Sequence, residues 1–277
     1  MKELEGSTTN TARMLTRSDR SFLKGVCLGD GCLRQLTTYP SLHISHSQKQ
    51  FEFLRWKVGR LNRVLGIKQP IKTREADCQT GTFPACQWWS NQHELLLPIY
   101  RELYPQGKKV FTASFLRDIG LEGLAVLYMD DGNLHLRKRG TSTRTGEPYI
   151  RERIVELALY VPYDTALVVS DWIESLTGAS LVPRVPMSKK NPDLWNLRAN
   201  GTSARQFVEV LKPYGCKAMQ YKFDLRYDTR TNRGKSKWSE ADRNKFVVEA
   251  DKVTRARSTQ TEELPAVGDD IVYSSTS

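Results

Sequence analysis

Apolar residues recur at three- and four-residue steps through Phe51, Leu54, Val58, Leu61 and Leu65. That stripe predicts one helix from Ser47 to Leu65, stopped by Gly66. Before it, Leu42 and Ile44 alternate with Ser41, His43 and Ser45, the pattern of a half-buried strand. After it, Ile71 to Asp77 and Thr82 to Trp89 read as a strand pair turning near Gly81. Trp88 and Trp89 then face opposite sides of one strand, so one of them is core. Gln92 to Leu103 reads as a helix with Pro98 as a kink.

The second half repeats the order. Leu134 and Leu136 alternate with Asn133, His135, Arg137 and Arg139, giving a strand with one apolar and one basic, polar face. Arg151 to Val161 is a second strand, and Asp164 to Thr177 a helix with Val169, Trp172, Ile173 and Leu176 inward and Gly178 as its stop. Val182 to Met187 and Leu194 to Ala199 are strands, followed by a helix from Thr202 to Leu211 that Pro213 ends. Each half reads helix, two strands, helix, two strands, helix. Each also opens on an apolar helix ending in Asp-Gly: Phe22 to Gly31, and Gly123 to Gly132. Asp30 and Asp131 are 101 positions apart, and a duplication at that period predicts two pseudo-symmetric subdomains, 19–106 and 107–229.

Charge refines this picture. The 277 residues carry 42 Lys and Arg against 31 Asp and Glu, a net charge of +11. Residues 230–277 hold nine basic and eight acidic residues, so the excess belongs to the repeated body. Such a surplus favours a polyanionic partner, nucleic acid before membrane. Ser239 to Arg257 reads as a capped helix, whereas residues 1–18 and Ser258 to Ser277 read as disordered. Five cysteines without a C-x-x-C pair speak against a disulfide scaffold or a Cys-rich zinc site. The polar start (Met1 to Arg20) offers no secretory signal, so an intracellular setting is expected: the cytoplasm of a bacterium or phage host, or an organelle.

A carboxylate at a helix C-terminus is placed badly for stability, because the helix dipole there favours cations. One Asp-Gly is an ordinary turn. Two at equivalent points of a repeat emerge side by side if the helices pack together, and clustered carboxylates need a cation or a shared proton. Oxygen ligands point to Mg²⁺, with Mn²⁺ as a substitute, and carboxylate-bound metal over a phosphodiester suits hydrolysis by activated water.

These motifs resemble those of the LAGLIDADG homing endonucleases, in the monomeric branch with two motifs on one chain. Leu23 to Gly31 fills the nine-residue pattern, with Gly25, Asp30 and Gly31 as matches and Gly29 in place of a small Ala. Leu124 to Gly132, ending Tyr128-Met129-Asp130-Asp131-Gly132, is the second copy. His46 to Gln50 leading into Phe53-Leu54-Arg55-Trp56-Lys57 fits the same family, as does Lys212-Pro213-Tyr214 followed by Ala218 to Phe223. The resemblance runs from Arg20 to Arg226. It implies an α+β fold of two αββαββα subdomains, whose antiparallel sheets form a saddle in the DNA major groove. It also implies a monomer whose motif helices meet at the interface and carry one acidic metal ligand each. Small residues at Gly25 and Gly29 would let the helices approach closely, while Val126 and Asp130 at the matching positions break the symmetry.

On this reading Asp30 and Asp131 are the metal ligands, and Asp130 precedes the matching position, either as a surface acid at the helix end or with a direct catalytic role. Lys109 and Lys222 match basic positions beside the family's active site, with Lys108 as a rival to Lys109. DNA contacts are expected from strand faces: Arg34, His43, Lys72, Arg74, His135, Arg137, Arg139, Arg184, Asn196 and Arg198. His43 and His46 form no zinc pair. Two other readings compete: an intron RNA maturase or non-cleaving DNA binder of the same fold, and a reverse transcriptase palm, whose Tyr-x-Asp-Asp signature lies on a turn between strands.

Overall fold

The computed structural model describes residues 15–78, 81–141, 148–186 and 193–225, and of residues 77–78, 136–141 and 148–151 only the backbone. The chain opens with α1 (Arg17–Leu28), β1 (Cys32–Arg34), β2 (Ser41–Ser47), α2 (Phe51–Leu65), β3 (Lys72–Cys78), β4 (Gly81–Trp89) and α3 (Leu96–Leu103). A short α4 (Ala113–Arg117) leads into α5 (Leu121–Asp131), β5 (Gly132–Thr141), β6 (Pro148–Val161), α6 (Tyr163–Thr177), β7 (Val182–Arg184), β8 (Trp195–Asn200) and α7 (Gly201–Leu211). The strands form two four-stranded antiparallel sheets of matching order, β1-β2-β4-β3 and β5-β6-β8-β7. The α+β repeat expected from the sequence is thus the observed architecture. No described helix is long and apolar enough to cross a membrane.

The core follows from the apolar stripes. Phe53, Leu54, Leu61 and Leu65 of α2 are buried against β2 and β4, where Leu42, Ile44 and Trp88 face inward. Trp88 has no exposure and its indole N–H donates to the Gln69 carbonyl at 3.1 Å, whereas Trp89 lies on the outer face. Gly66 and Gly178 end α2 and α6 with φ of 66° and 67°, the left-handed turn that glycine adopts at least cost.

Four expectations shift. The segment Gln48–Gln50 is a 3-10 turn, with Ser47 still in β2. The third helix begins at Leu96, so Pro98 falls in its first turn, where a missing N–H costs no helical bond and no kink follows. The strand expected over Val182 to Met187 ends at Arg184. Helix α1 begins at Arg17, capped by the Thr16 hydroxyl accepting the Asp19 N–H at 3.1 Å, inside the stretch expected to be disordered. The helix expected over Ser239 to Arg257 and the polar stretch Ser258 to Ser277 lie outside the described residues.

The two motif helices pack directly on each other. A Cβ at Gly25 would fall 2.5 Å from Gly123 Cα, so the two backbones touch at these glycines. The contact therefore pairs Gly25 with Gly123, not with the motif-equivalent Val126. The Ser21 hydroxyl of α1 accepts the Gly120 and Gly123 N–H groups at 2.9 and 3.2 Å, capping α5 from across the interface. Residues Gly123 to Met129 are all buried, as befits a helix enclosed on every side. At the far end of the pair, Arg60 of α2 joins Glu122, Asp19 and Ser18. Lys24, almost fully buried, reaches Glu102 at 2.8 Å, Asp118 at 3.1 Å and the Phe115 carbonyl at 3.2 Å.

Candidate active site

The paired helices deliver their C-terminal ends to one place. Asp30 follows α1, and Asp130 and Asp131 close α5. Burial, and then the neighbouring Asp130, push the Asp30 carboxyl up to about 6. Burial, and then Asp30 and Asp130, push Asp131 up to about 7. Carboxylates that raise one another's affinity for protons form a site where a bound cation relieves repulsion. The Tyr128 to Asp131 stretch is helical throughout, not a turn between strands, which removes the basis for the polymerase reading.

Lys109 and Lys222 close the two helix ends in parallel fashion. Lys109 Nζ donates to the Leu28 and Gly29 carbonyls at 2.7 and 2.9 Å. Lys222 Nζ donates to the Met129 and Asp130 carbonyls, the latter at 3.3 Å. These are equivalent carbonyls in the two motifs, so the pair answers the unfavourable dipole that the sequence exposed. Burial lowers both ammonium groups, Lys222 to about 8. The Tyr128 hydroxyl donates to the Lys222 carbonyl at 2.8 Å and fixes that segment.

Asp130 does not lie on the surface. Its carboxylate has no exposure, pairs with the equally buried Lys57 Nζ and accepts the Asp30 N–H at 3.1 Å. His46 is buried beside them. Its Nε2 lies 3.2 Å from Lys57 Nζ, and its Nδ1 lies 3.2 Å from Gln50 Oε1 and 3.4 Å from Asp30 Oδ2. Burial, and then Lys57, lower His46 to about 4, so it is neutral near pH 7. One oxygen each of Asp30 and Asp130 and a nitrogen of His46 lie within 4.8 Å of one another. Sequence reasoning passed over Lys57 and set His46 aside. Lys57 enters the sequence only as the end of a family-like run, and no spacing links it to a residue 73 positions on.

The expected DNA-contacting residues divide into groups. Arg34, Lys72, Arg74 and Arg184 are exposed on their strands. His43 stacks on Trp89 with ring centroids 3.7 Å apart, and the Arg34 guanidinium lies 5.3 Å from the same indole. Arg198 is half-buried and donates from Nε to Asn200 at 3.1 Å. His135 and Asn196 are buried and both engage Glu156, at 3.6 and 3.3 Å, so neither stands free on the sheet. Asn196 also accepts the Tyr160 N–H at 3.2 Å, at a bulge where Tyr160 takes φ 50°. Arg137 and Arg139 lie on β5, with side chains outside the described part.

A sequence profile described as the LAGLIDADG DNA endonuclease family matches residues 20–158, half of the chain. The chain belongs to the LAGLIDADG DNA endonuclease family. Among solved structures, the homing endonuclease I-WcaI bound to its DNA recognition sequence shares the fold, with a TM-score of 0.62 at 15% identity, covering 78% of this chain and 89% of that one. Among curated proteins, the chain is 26% identical over 224 residues to "Protein RecA" of Mycobacterium gastri, covering 79% of this chain and 50% of the other. The counterpart of Mycobacterium shimoidei is 26% identical over 220 residues, covering 77% and 48%. The chain thus spans about half the length of the curated relatives it matches.

Proposed function

We propose that this LAGLIDADG chain is a site-specific double-strand DNA endonuclease of the homing type that depends on a divalent metal ion. The observation that carries this is the convergence of Asp30 and Asp131 at two touching helix ends, each raised by burial and by acidic neighbours. The donor set fits a hard cation such as Mg²⁺ or Mn²⁺, because it consists of carboxylate oxygens whose mutual repulsion a cation would relieve. Asp30 and Asp131 would each hold one such ion at its own helix end. When bound, the metal supplies Lewis acidity toward a phosphodiester oxygen and a hydroxide nucleophile at neutral pH.

The chain's own residues do the rest. Lys109 and Lys222 place two positive charges beside the acids, in a buried setting where charge acts strongly on the extra negative charge of the transition state. Arg34, Lys72, Arg74 and Arg184 on the sheets suit phosphate and base contacts with double-stranded DNA. The two sheets, as subdomains 19–106 and 107–229 of a monomer, would each read one half of a long, imperfectly symmetric target.

The test is cleavage of a duplex that joins the sequences flanking this reading frame. Double-strand cutting is expected with Mg²⁺ or Mn²⁺ and none in excess chelator. Binding without cutting under every metal condition would favour a non-cleaving binder or an RNA maturase instead.

A further inference from the structure

The symmetry of the helix ends breaks at one pair of positions. Gly29 and Asp130 are equivalent in the two motifs, yet one has no side chain and the other a carboxylate. A Cβ at Gly29 would fall 2.2 Å from Asp130 Oδ2, so this carboxylate fills the room that glycine leaves on the first helix's end. There Asp130 accepts the Asp30 N–H and pairs with Lys57.

A buried ion pair is costly to break, because either partner alone becomes an uncompensated charge. Lys57 therefore holds Asp130 in place. Lys57 also donates to His46 Nε2 at 3.2 Å. An ammonium has no acceptor, so the His46 proton resides on Nδ1, which faces Gln50 and Asp30 Oδ2. Both the backbone N–H and the carboxylate of Asp30 are thus restrained by groups that Lys57 anchors.

The other helix end is built differently. Helices α2 and α6 each have 15 residues and end at a left-handed glycine, so their seventh residues correspond: Lys57 and Val169. Val169 is fully buried and apolar, and Gly29 offers Asp131 no carboxylate in return.

We propose that Asp130, held by Lys57, is a positioning residue that, together with His46, pre-orders Asp30 as a metal ligand and makes the metal position at Asp30 the tighter of two unequal ones. The inference rests on the endonuclease reading above. Supporting contacts of this kind typically change metal affinity 10–100-fold.

The experiment titrates Mn²⁺ into the full-length chain, alone and bound to a duplex it cuts, with electron paramagnetic resonance as the readout. The wild type should show two classes of Mn²⁺ and nick one strand faster than the other. The double variant Lys57→Met/Asp130→Asn replaces the ion pair by neutral groups of similar size, and its fold is checked by circular dichroism. Its tighter Mn²⁺ class should weaken about 10-fold or more while the other stays, and the two nicking rates should converge. His46→Ala leaves the ion pair intact and is the gentler variant, expected to weaken the same class by a smaller factor. A purely structural role would lower the melting temperature and leave the ratio of the two classes unchanged. Equal classes in the wild type, or unchanged classes in a folded variant, overturn the inference and leave the endonuclease reading standing. A wild type that neither binds Mn²⁺ nor cuts overturns both.

Discussion

The carboxylate of Asp130 occupies the space that a side chain at Gly29 would need, 2.2 Å from where its Cβ would lie. Gly29→Ala is therefore expected to destabilise the chain by about 1–3 kcal/mol, as overpacking does. Asp130→Gly removes the clash but strands the buried Lys57 charge, so the double variant Gly29→Ala/Asp130→Gly should be destabilised by less than the sum of the two singles. Urea melts of the two singles and the double form the cycle, and strict additivity would contradict the contact.

Gly25→Ala should cost more and resist rescue. Its Cβ would meet Gly123 backbone at 2.5 Å, and backbone cannot be trimmed. The same melts check this. A Gly25→Ala chain as stable as wild type would mean the helices can slide apart without penalty.

Asp30→Asn and Asp131→Asn should each abolish double-strand cleavage while a gel-shift assay shows binding largely retained. The same substitutions should stabilise the metal-free protein. Both carboxyls hold protons more tightly folded than unfolded, where such groups titrate near about 4. The stability from their neutral form is present below that pH and is lost as pH rises through about 6 for Asp30 and about 7 for Asp131. Each amide variant should thus melt higher than wild type at pH 8 and about the same at pH 4. Added Mg²⁺ should raise the wild-type midpoint at pH 8 more than the variants'. Melting curves in the presence of chelator give the reference, and a lower midpoint for both variants at pH 8 would contradict the burial argument.

Lys222→Met should slow cleavage by 10-fold or more, with DNA binding changed little. Its ammonium is spent on the Met129 and Asp130 carbonyls inside the site and does not reach outward to a phosphate. Exposed Arg74→Ala should behave the opposite way, weakening binding and flattening its salt dependence with the cleavage rate at saturation kept. Binding isotherms at several salt concentrations beside single-turnover rates separate the two.

Much of this was readable from the chain. Helical and strand periods placed nearly every element within a few residues, because amphipathic faces write burial into local sequence. The repeat was readable because Asp-Gly recurs at the end of two apolar helices. What escaped was long-range. Ser21 capping α5, Gly25 meeting Gly123 and Lys57 reaching Asp130 join residues about 70–100 positions apart, with no spacing rule to announce them. Charged side chains are seldom fully buried unless paired, and nothing local to Lys57 or Asp130 in the sequence announces the partner. His135 and Asn196, expected among the DNA-contacting residues, are buried against Glu156 for a related reason. Alternation assigns a face, but Glu156 on the neighbouring strand decides whether that face is already occupied.

The lysine that closes each helix end follows the last long helix of its repeat: Lys109 from just beyond α3, so that the first copy extends past the boundary expected at 106, and Lys222 from just beyond α7. Each copy therefore carries its own closing cation and need not borrow one from its twin. A chain nicked near Gly107 would leave Lys109 on the wrong fragment, whereas a cut after Val110 keeps both fragments electrostatically whole. Split versions of this protein, brought together in a cell to assemble on demand, should be divided there.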